Sequence, residues 1–371
     1  THYCRLIMSE LSRRQFIKLA NAGIVSAGIA FNPFAQSRGN NNKVGVALVG
    51  LGYYSSGLLA PALQMTEHCE LKGIVTGSPY KIPKWQRKYG IKDANVYSYE
   101  NMHEIANNPD IDVVYVVVPT ALHLKFCEIA ANAGKHVWCE KPMAMTVAQC
   151  QRIIDVCKNN KVQLTVSYRM QHEPNTRALM AYKNSMPFGQ YQSAVSRAGY
   201  GGNGMAADNW RMKKEMGGGA MYDMGVYPLN GTRFLTGMEP IAITARHEKS
   251  HPNIFKEVDE TTFFTLEFAN GLVADCATSV VKSFNYIRLE CVKGWYELRP
   301  MSDYFGVTAQ TSSGLRLAPI AAMQQTIQMD NDALAVKGMG PILVPGEEGM
   351  RDIHVVENAF KSAKLGKRVT L

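Results

Sequence analysis

Lys43-Val44-Gly45-Val46-Ala47-Leu48-Val49 is a short, nearly continuous apolar run, and Gly50-Leu51-Gly52 follows it at once. A run without polar alternation suits a strand buried on both faces of a parallel sheet. A helical segment from Ser56 to Glu67 and a second strand, Glu70 to Val75, come next. The glycines therefore occupy a strand-to-helix turn, where a pyrophosphate can meet backbone N–H groups and a helix N-terminus. The third glycine of that fingerprint is here Ser55, small enough for close helix-to-sheet packing.

The end of the second strand selects the cofactor. An acid there would accept from the ribose 2′-OH and repel a 2′-phosphate, but this chain has Thr76-Gly77-Ser78. Two hydroxyls, with Lys81 one helical step on, suit a phosphate, so the pocket reads as NADP rather than NAD. The same residues also suit a solvated turn with a chance lysine. Val113 to Val118 reads as a further apolar strand, Thr120 to Ala133 as a helix and Lys135 to Cys139 as the next strand. Glu140-Lys141-Pro142 closes it, and the carboxyl edge of such a strand borders the ligand crevice, which puts Lys141 where substrate and nicotinamide would meet.

From Val162 the pattern changes. Val162 to Tyr168, Gln190 to Ser196, Ile241 to His247, Thr261 to Phe268, Gly271 to Ser279 and Tyr286 to Val292 read as strands, several alternating as half-exposed antiparallel strands do. The expected fold is α/β: an N-terminal Rossmann dinucleotide-binding domain plus a C-terminal α+β domain with a large, mostly antiparallel open sheet. Expected boundaries are residues 1–42 for a leader and linker, 43–165 for the Rossmann domain, 166–345 for the substrate and oligomerisation domain, and 346–371 for a helix returning to the first domain. Gly199 to Ala207, glycine-rich and aperiodic, reads as a loop over the site.

At 371 residues and 46% hydrophobic, the chain suits two domains and excludes disordered or collagen-like classes. Its formal charge of +9 is scattered, which argues against nucleic acid. The eight cysteines form no CxxC pair and mostly fall in apolar runs, so buried thiols are expected and a metal is not. Ser12-Arg13-Arg14-Gln15-Phe16-Ile17-Lys18, followed by the glycine-softened apolar stretch Leu19 to Phe31, is similar to a twin-arginine export signal; an amphipathic helix is the alternative. The stretch is too short for a stable membrane anchor. The export reading makes the protein periplasmic and delivered already folded by the twin-arginine machinery.

Val49-Gly50-Leu51-Gly52, Pro119-Thr120-Ala121-Leu122-His123, Gly134 to Pro142 and Asp223-Met224-Gly225-Val226-Tyr227 together resemble the superfamily of glucose-fructose oxidoreductase, inositol dehydrogenase and rhizopine-catabolism proteins. Asn209 to Glu215 and Pro345 to Met350 point to its glucose-fructose oxidoreductase branch. The resemblance implies Gly50, Leu51, Gly52, Tyr53, Tyr54 and Ser55 at the pyrophosphate, and Thr76, Lys81 and Tyr99 at the 2′-phosphate of a tightly bound NADP. It also implies Pro119, Thr120, His123 and Glu140 beside the nicotinamide ribose and ring, and Arg169, Trp210, Arg211 and Tyr304 closing from the second domain.

Many members carry histidine at the position of Tyr227. A phenol serves as proton acceptor only where its anion is stabilised, which the Lys141 ammonium would do; taken singly Tyr227 reads as packing, and its place after a glycine-rich turn, one helical turn from Asp223, turns the reading to catalysis. The expected reaction is hydride transfer from C1 of a cyclic aldose, with Tyr227 accepting the hydroxyl proton, Lys141 orienting it and Asp223 binding sugar hydroxyls. A captive cofactor would then reduce a second sugar, ketose to polyol, in ping-pong fashion. Rival readings are an NAD(P)-dependent glycosidase acting through transient C3 oxidation and a non-catalytic sugar sensor. The resemblance also implies a homodimer or homotetramer assembled through the C-terminal sheet.

Overall fold

The computed structural model describes residues 43–201 and 208–371. The export leader and residues 202–207 of the glycine-rich loop lie outside the described residues. Two sheets organise the rest. The first is parallel, in the order β3-β2-β1-β4-β5-β6, from β1 (Val44–Val49), β2 (Cys69–Val75), β3 (Val96–Tyr97), β4 (Val113–Val116), β5 (His136–Cys139) and β6 (Leu164–Val166). Every residue of β1 is buried, because helices cover both faces. Val46 and Leu48 pack with Tyr115 and Trp138 on one side; Ala47 and Val49 pack with Phe126 and Cys127 on the other. The chain reverses direction across the sheet between β1 and β4, which opens a crevice at the carboxyl ends of these strands.

The second sheet runs β14-β13-β12-β11-β7-β10-β9-β8-β15. Its strands are β7 (Tyr191–Gly199), β8 (Pro240–Glu248), β9 (Thr261–Phe268), β10 (Val273–Ser279), β11 (Phe284–Cys291), β12 (Gly294–Leu298), β13 (Ala309–Thr311), β14 (Arg316–Leu317) and β15 (Val369–Thr370). β7 and β10 pair in parallel; the other neighbours are antiparallel. Helix Val226–Thr236, buried along its whole length, lies against the inner face. Its Arg233 pairs with Asp352 and, at 3.1 Å, with Glu348 of the final helix, Gly346–Leu365.

Three expectations need correction. Val162 to Tyr168 was grouped with the second half, yet β6 is the last strand of the first sheet, pairing Leu164 with Val137 and Val166 with Cys139. The final helix does return to the first domain, where Gly349 abuts Met143 and Val166, but its later turns sit on the second sheet: Ala245 N donates to Ser362 Oγ at 2.9 Å. Residues 324–336, assigned wholly to the second half, form a helix whose Met329 and Ala333 complete the core under β1 and β4. Its Asp330 accepts from the backbone N–H of His68 at 2.8 Å. The seven cysteines among the described residues are free and buried.

Candidate active site

Both domains contribute walls to a cleft of about 840 Å³ at the carboxyl ends of β1, β2, β4 and β5. At its base the chain turns sharply. Gly50 has φ +91°, and a Cβ there would stand 2.4 Å from Val117 O, so only glycine fits. A Cβ on Gly52 would meet nothing within 4 Å, which leaves its backbone open to a ligand in the cleft. Ser55, fully buried, donates from Oγ to Gly50 O at 2.5 Å and pins the loop. These features fit a dinucleotide pyrophosphate.

At one end of the cleft Thr76 Oγ1 accepts from Ser78 N at 3.0 Å, and Lys81 Nζ donates to Leu51 O at 2.9 Å. Lys81 thus spans from the turn after β2 to the glycine loop. Tyr99 closes this end, its ring 4.8 Å from that of Phe126 and pressed over Gly77.

At the other end Lys141 Nζ donates to the Asp223 carbonyl at 2.8 Å and stands 4.5 Å from the centre of the Tyr227 ring. Arg169 donates from Nη2 to the Tyr227 hydroxyl at 3.5 Å. Negative charge developing on that oxygen would therefore meet two cations. Asp223 lines the cleft, where its Oδ2 accepts from Tyr200 at 2.9 Å and Arg211 Nε at 3.1 Å, while its carbonyl fixes Lys141. Buried Arg169 also donates to the carbonyls of Ser302 and Asp303 and to Gln324, and its guanidinium lies 4.6 Å from the Tyr304 ring. Tyr304 in turn meets Tyr54 at 5.8 Å, and Arg211 covers Trp210 at 4.5 Å.

His123 belongs to the frame. Its Nε2 lies 2.8 Å from Val118 O and its Nδ1 2.9 Å from Pro142 O, so the ring ties the loop after β4 to the loop after β5. Burial opposes charge on this imidazole, but Cys139 and the carbonyl oxygens of Val118 and Met143 outweigh it and raise its pKa above the usual value. Glu140 Oε1 accepts from the Tyr115 hydroxyl at 2.6 Å. Burial pushes this carboxyl up to about 7, against the opposing pull of Tyr115, Lys141 and Arg169.

Every residue singled out from the sequence, from Gly50 to Tyr304, lines this one cleft, with Pro119, Thr120 and exposed Tyr53 among them. A family model described as oxidoreductase family, NAD-binding Rossmann fold, matches residues 44–168, and one described as GFO/IDH/MocA C-terminal domain matches residues 177–297. The chain belongs to the GFO/IDH/MocA oxidoreductase family. It is 34% identical to the crystallised aldose-aldose oxidoreductase of Caulobacter crescentus, covering 89% of this chain and 100% of that one with a TM-score of 0.84. D-xylose 1-dehydrogenase (NADP(+)) of Haloarcula marismortui is 28% identical over 95% of this chain and 99% of its own length. Scyllo-inositol dehydrogenase of Lactobacillus casei, at 17% identity, shares the fold, with a TM-score of 0.74 over 88% of this chain and 99% of that one.

Several members of this GFO/IDH/MocA cleft escaped the sequence reading. Asn285 at the start of β11 accepts on Oδ1 from Met301 N at 2.9 Å and Ser302 N at 2.7 Å, and so shapes the loop that carries Asp303 and Tyr304. Tyr200 and Asn209 flank the undescribed loop residues, and Asn209 Oδ1 accepts from Arg211 N at 3.0 Å. Asn209 ahead of a short helix is a capping residue type and a readable signal; Asn285 stood just ahead of the strand expected from Tyr286 and gave none.

Proposed function

We propose that this enzyme is an exported oxidoreductase holding NADP tightly, which oxidises a cyclic aldose at C1 to a lactone and returns the electrons to a second sugar, ketose to polyol, in ping-pong fashion. The observation that carries the reading is the pairing of two ends of one cleft: Thr76, Ser78 and Lys81, with no acid at the end of β2, and Lys141 with Tyr227 across from them. The two relatives named for aldose and xylose substrates support the sugar class. The leader Ser12 to Lys18 supports periplasmic export by the twin-arginine route, and a compartment without a nicotinamide pool makes a captive cofactor and a second substrate necessary. Self-association as a homodimer or homotetramer through the second sheet belongs to the same proposal.

NADP, when bound, supplies the hydride acceptor. The chain does the remainder. Tyr227 takes the proton of the C1 hydroxyl, Lys141 and Arg169 compensate the charge that develops on its oxygen, and the Asp223 carbonyl holds Lys141 in position. Arg169 and Tyr304 reach from the second domain to Tyr54 of the glycine loop and retain the dinucleotide.

Absorbance and fluorescence of the purified protein, before and after D-xylose or D-glucose and with no dinucleotide added, test this. Bound NADP reduced by the aldose and reoxidised by D-fructose is the expected result. Recovery of a cofactor-free protein that needs added dinucleotide at every turnover overturns it. Release of p-nitrophenol from aryl glycosides without external reductant transfers the site to the glycosidase reading.

A further inference from the structure

Glu140 follows β5 at the wall of the cleft, buried, on the side away from Thr76 and Lys81. In a fold made of two mononucleotide-binding halves, adenosine over β2 puts the nicotinamide over β4 and β5. The carboxyl is anchored from beneath: Tyr115 donates to Oε1, and Gln328 Nε2 donates to Tyr115 Oη at 3.2 Å. Gln325, beside Gln328 on the same helix, buries both polar side-chain atoms without a partner, so the seam under Glu140 is polar and has room for further hydrogen bonds. The charged and titratable groups facing Glu140 are Lys141 on its own segment, Arg169 after β6, Tyr115 from β4, Tyr54 from the glycine loop and Tyr304 from the loop after β12.

Redox changes charge at this place. An oxidised nicotinamide ring carries one positive charge and a reduced ring carries none. We propose that Glu140 is a redox-linked proton store, ionised while the cofactor is oxidised and protonated while it is reduced. This rests on the reading that the cleft binds NADP and alternates between two sugars. In the oxidative half-reaction the C1–H bond breaks with its electron pair moving to the nicotinamide, the O–H bond breaks as C1=O forms, and its proton leaves through Tyr227. Glu140 takes up one proton as the substrate releases one, so the half-reaction leaves no net proton in solution. In the reductive half-reaction the electron pair returns with hydrogen to the carbonyl carbon of the second sugar, its oxygen takes a proton, and Glu140 is ionised again.

The position of Glu140 near neutrality makes the switch feasible, because loss of a unit charge several ångströms away moves a buried carboxyl by roughly one to two pH units, about 10- to 100-fold in proton affinity.

Infrared titration of the carboxyl band in the full chain, with excess NADP⁺ or excess NADPH and no sugar, reads it directly. The expected result is a midpoint at least about one unit higher, a tenfold greater proton affinity, in the NADPH form. That band should vanish in Glu140→Gln. Tyr115→Phe, which removes a hydrogen bond that favours the carboxylate, should raise the midpoint in both forms and preserve their difference. Equal midpoints in the two forms overturn the proposal, as does a difference that survives Glu140→Gln. If the two forms differ but aldoses do not reduce the bound cofactor, the proton store stands and the sugar reading fails. A chain that binds neither dinucleotide overturns both.

Discussion

Lys81 lies along the groove between the turn after β2 and the glycine loop, donating to the Leu51 carbonyl at 2.9 Å and standing 5.8 Å from the centre of the Tyr80 ring. A 2′-phosphate offers it a stronger partner, since a charge-assisted hydrogen bond contributes about 1.5–3 kcal/mol, or roughly 10- to 150-fold in affinity. Lys81→Ala should therefore weaken NADP by that factor and NAD by less than about twofold, because NAD has no phosphate to lose. Fluorescence titration with each dinucleotide checks this, and equal losses for the two would remove Lys81 from cofactor selection. Residues of this kind were legible in the sequence because their meaning is local: Gly50, Thr76 and Lys81 sit at fixed offsets from strand ends. The part played by the Asp223 main chain was not. Its carbonyl holds Lys141, and a backbone oxygen is announced by no residue type.

Helix Gln324–Val336 is the element the sequence hid, and the reason is visible in its side chains. Gln324, Gln325, Gln328 and Asp332 are all buried, so the helix turns polar residues toward the first sheet, where an amphipathic reading expects apolar ones. The partners of this polar face were equally misread: Tyr115 in a strand taken as purely apolar, and Thr165 in β6, whose alternation mimicked an antiparallel strand. Strands and helices that obey the apolar pattern, such as β1 and the helix His123–Asn132, were found near their true limits.

Such a polar interior titrates. Burial pushes the Asp332 carboxyl up to about 8 and the imidazole of His172, 4.0 Å away, down to about 3. Between about pH 6.5 and 8 the folded chain keeps a proton on Asp332 that the unfolded chain, with an ordinary carboxyl near 3.9, has released. The folded state binds more protons there, so stability falls as pH rises, by at most about 1.4 kcal/mol per unit and roughly 2 kcal/mol over the window. His172 is silent in that range: its contribution is complete above about pH 6.5 and is lost only as pH falls toward 3. Urea midpoints measured at pH 6.5 and 8 should drop more in the natural chain than in Asp332→Asn, which keeps the smaller decline due to buried Glu140. Equal slopes for the two would show that Asp332 is ionised throughout.

At the scale of the molecule, the two sheets are used in opposite ways. The parallel sheet is covered on both faces, and its strand ends form the cleft. The mixed sheet buries one face against helices Val226–Thr236 and Gly346–Leu365, while along β9 and the later half of β11 buried and half-exposed side chains alternate. The opposite face is unlike an ordinary solvated surface. Arg288 lies 4.0 Å from the Trp295 ring centre, Arg299 4.0 Å from that of Tyr286 and Arg246 4.4 Å from that of Phe263. Aromatic residues and arginine are the types enriched in protein–protein interfaces, and an array of them on one sheet face suits a second copy of the same sheet. Self-association here would leave both clefts open, because Trp295, Tyr286 and Phe263 are absent from the cleft wall. The holoenzyme should then sediment as a dimer or tetramer at micromolar concentration. Truncating a central aromatic anchor costs about 2 kcal/mol or more, so Trp295→Ala should weaken assembly by at least about 30-fold. The absorbance of bound cofactor should not change. A natural chain that sediments as a monomer would leave this face without the role proposed for it, and a variant that lost its cofactor together with its assembly would mean that the sheet and the cleft are not independent.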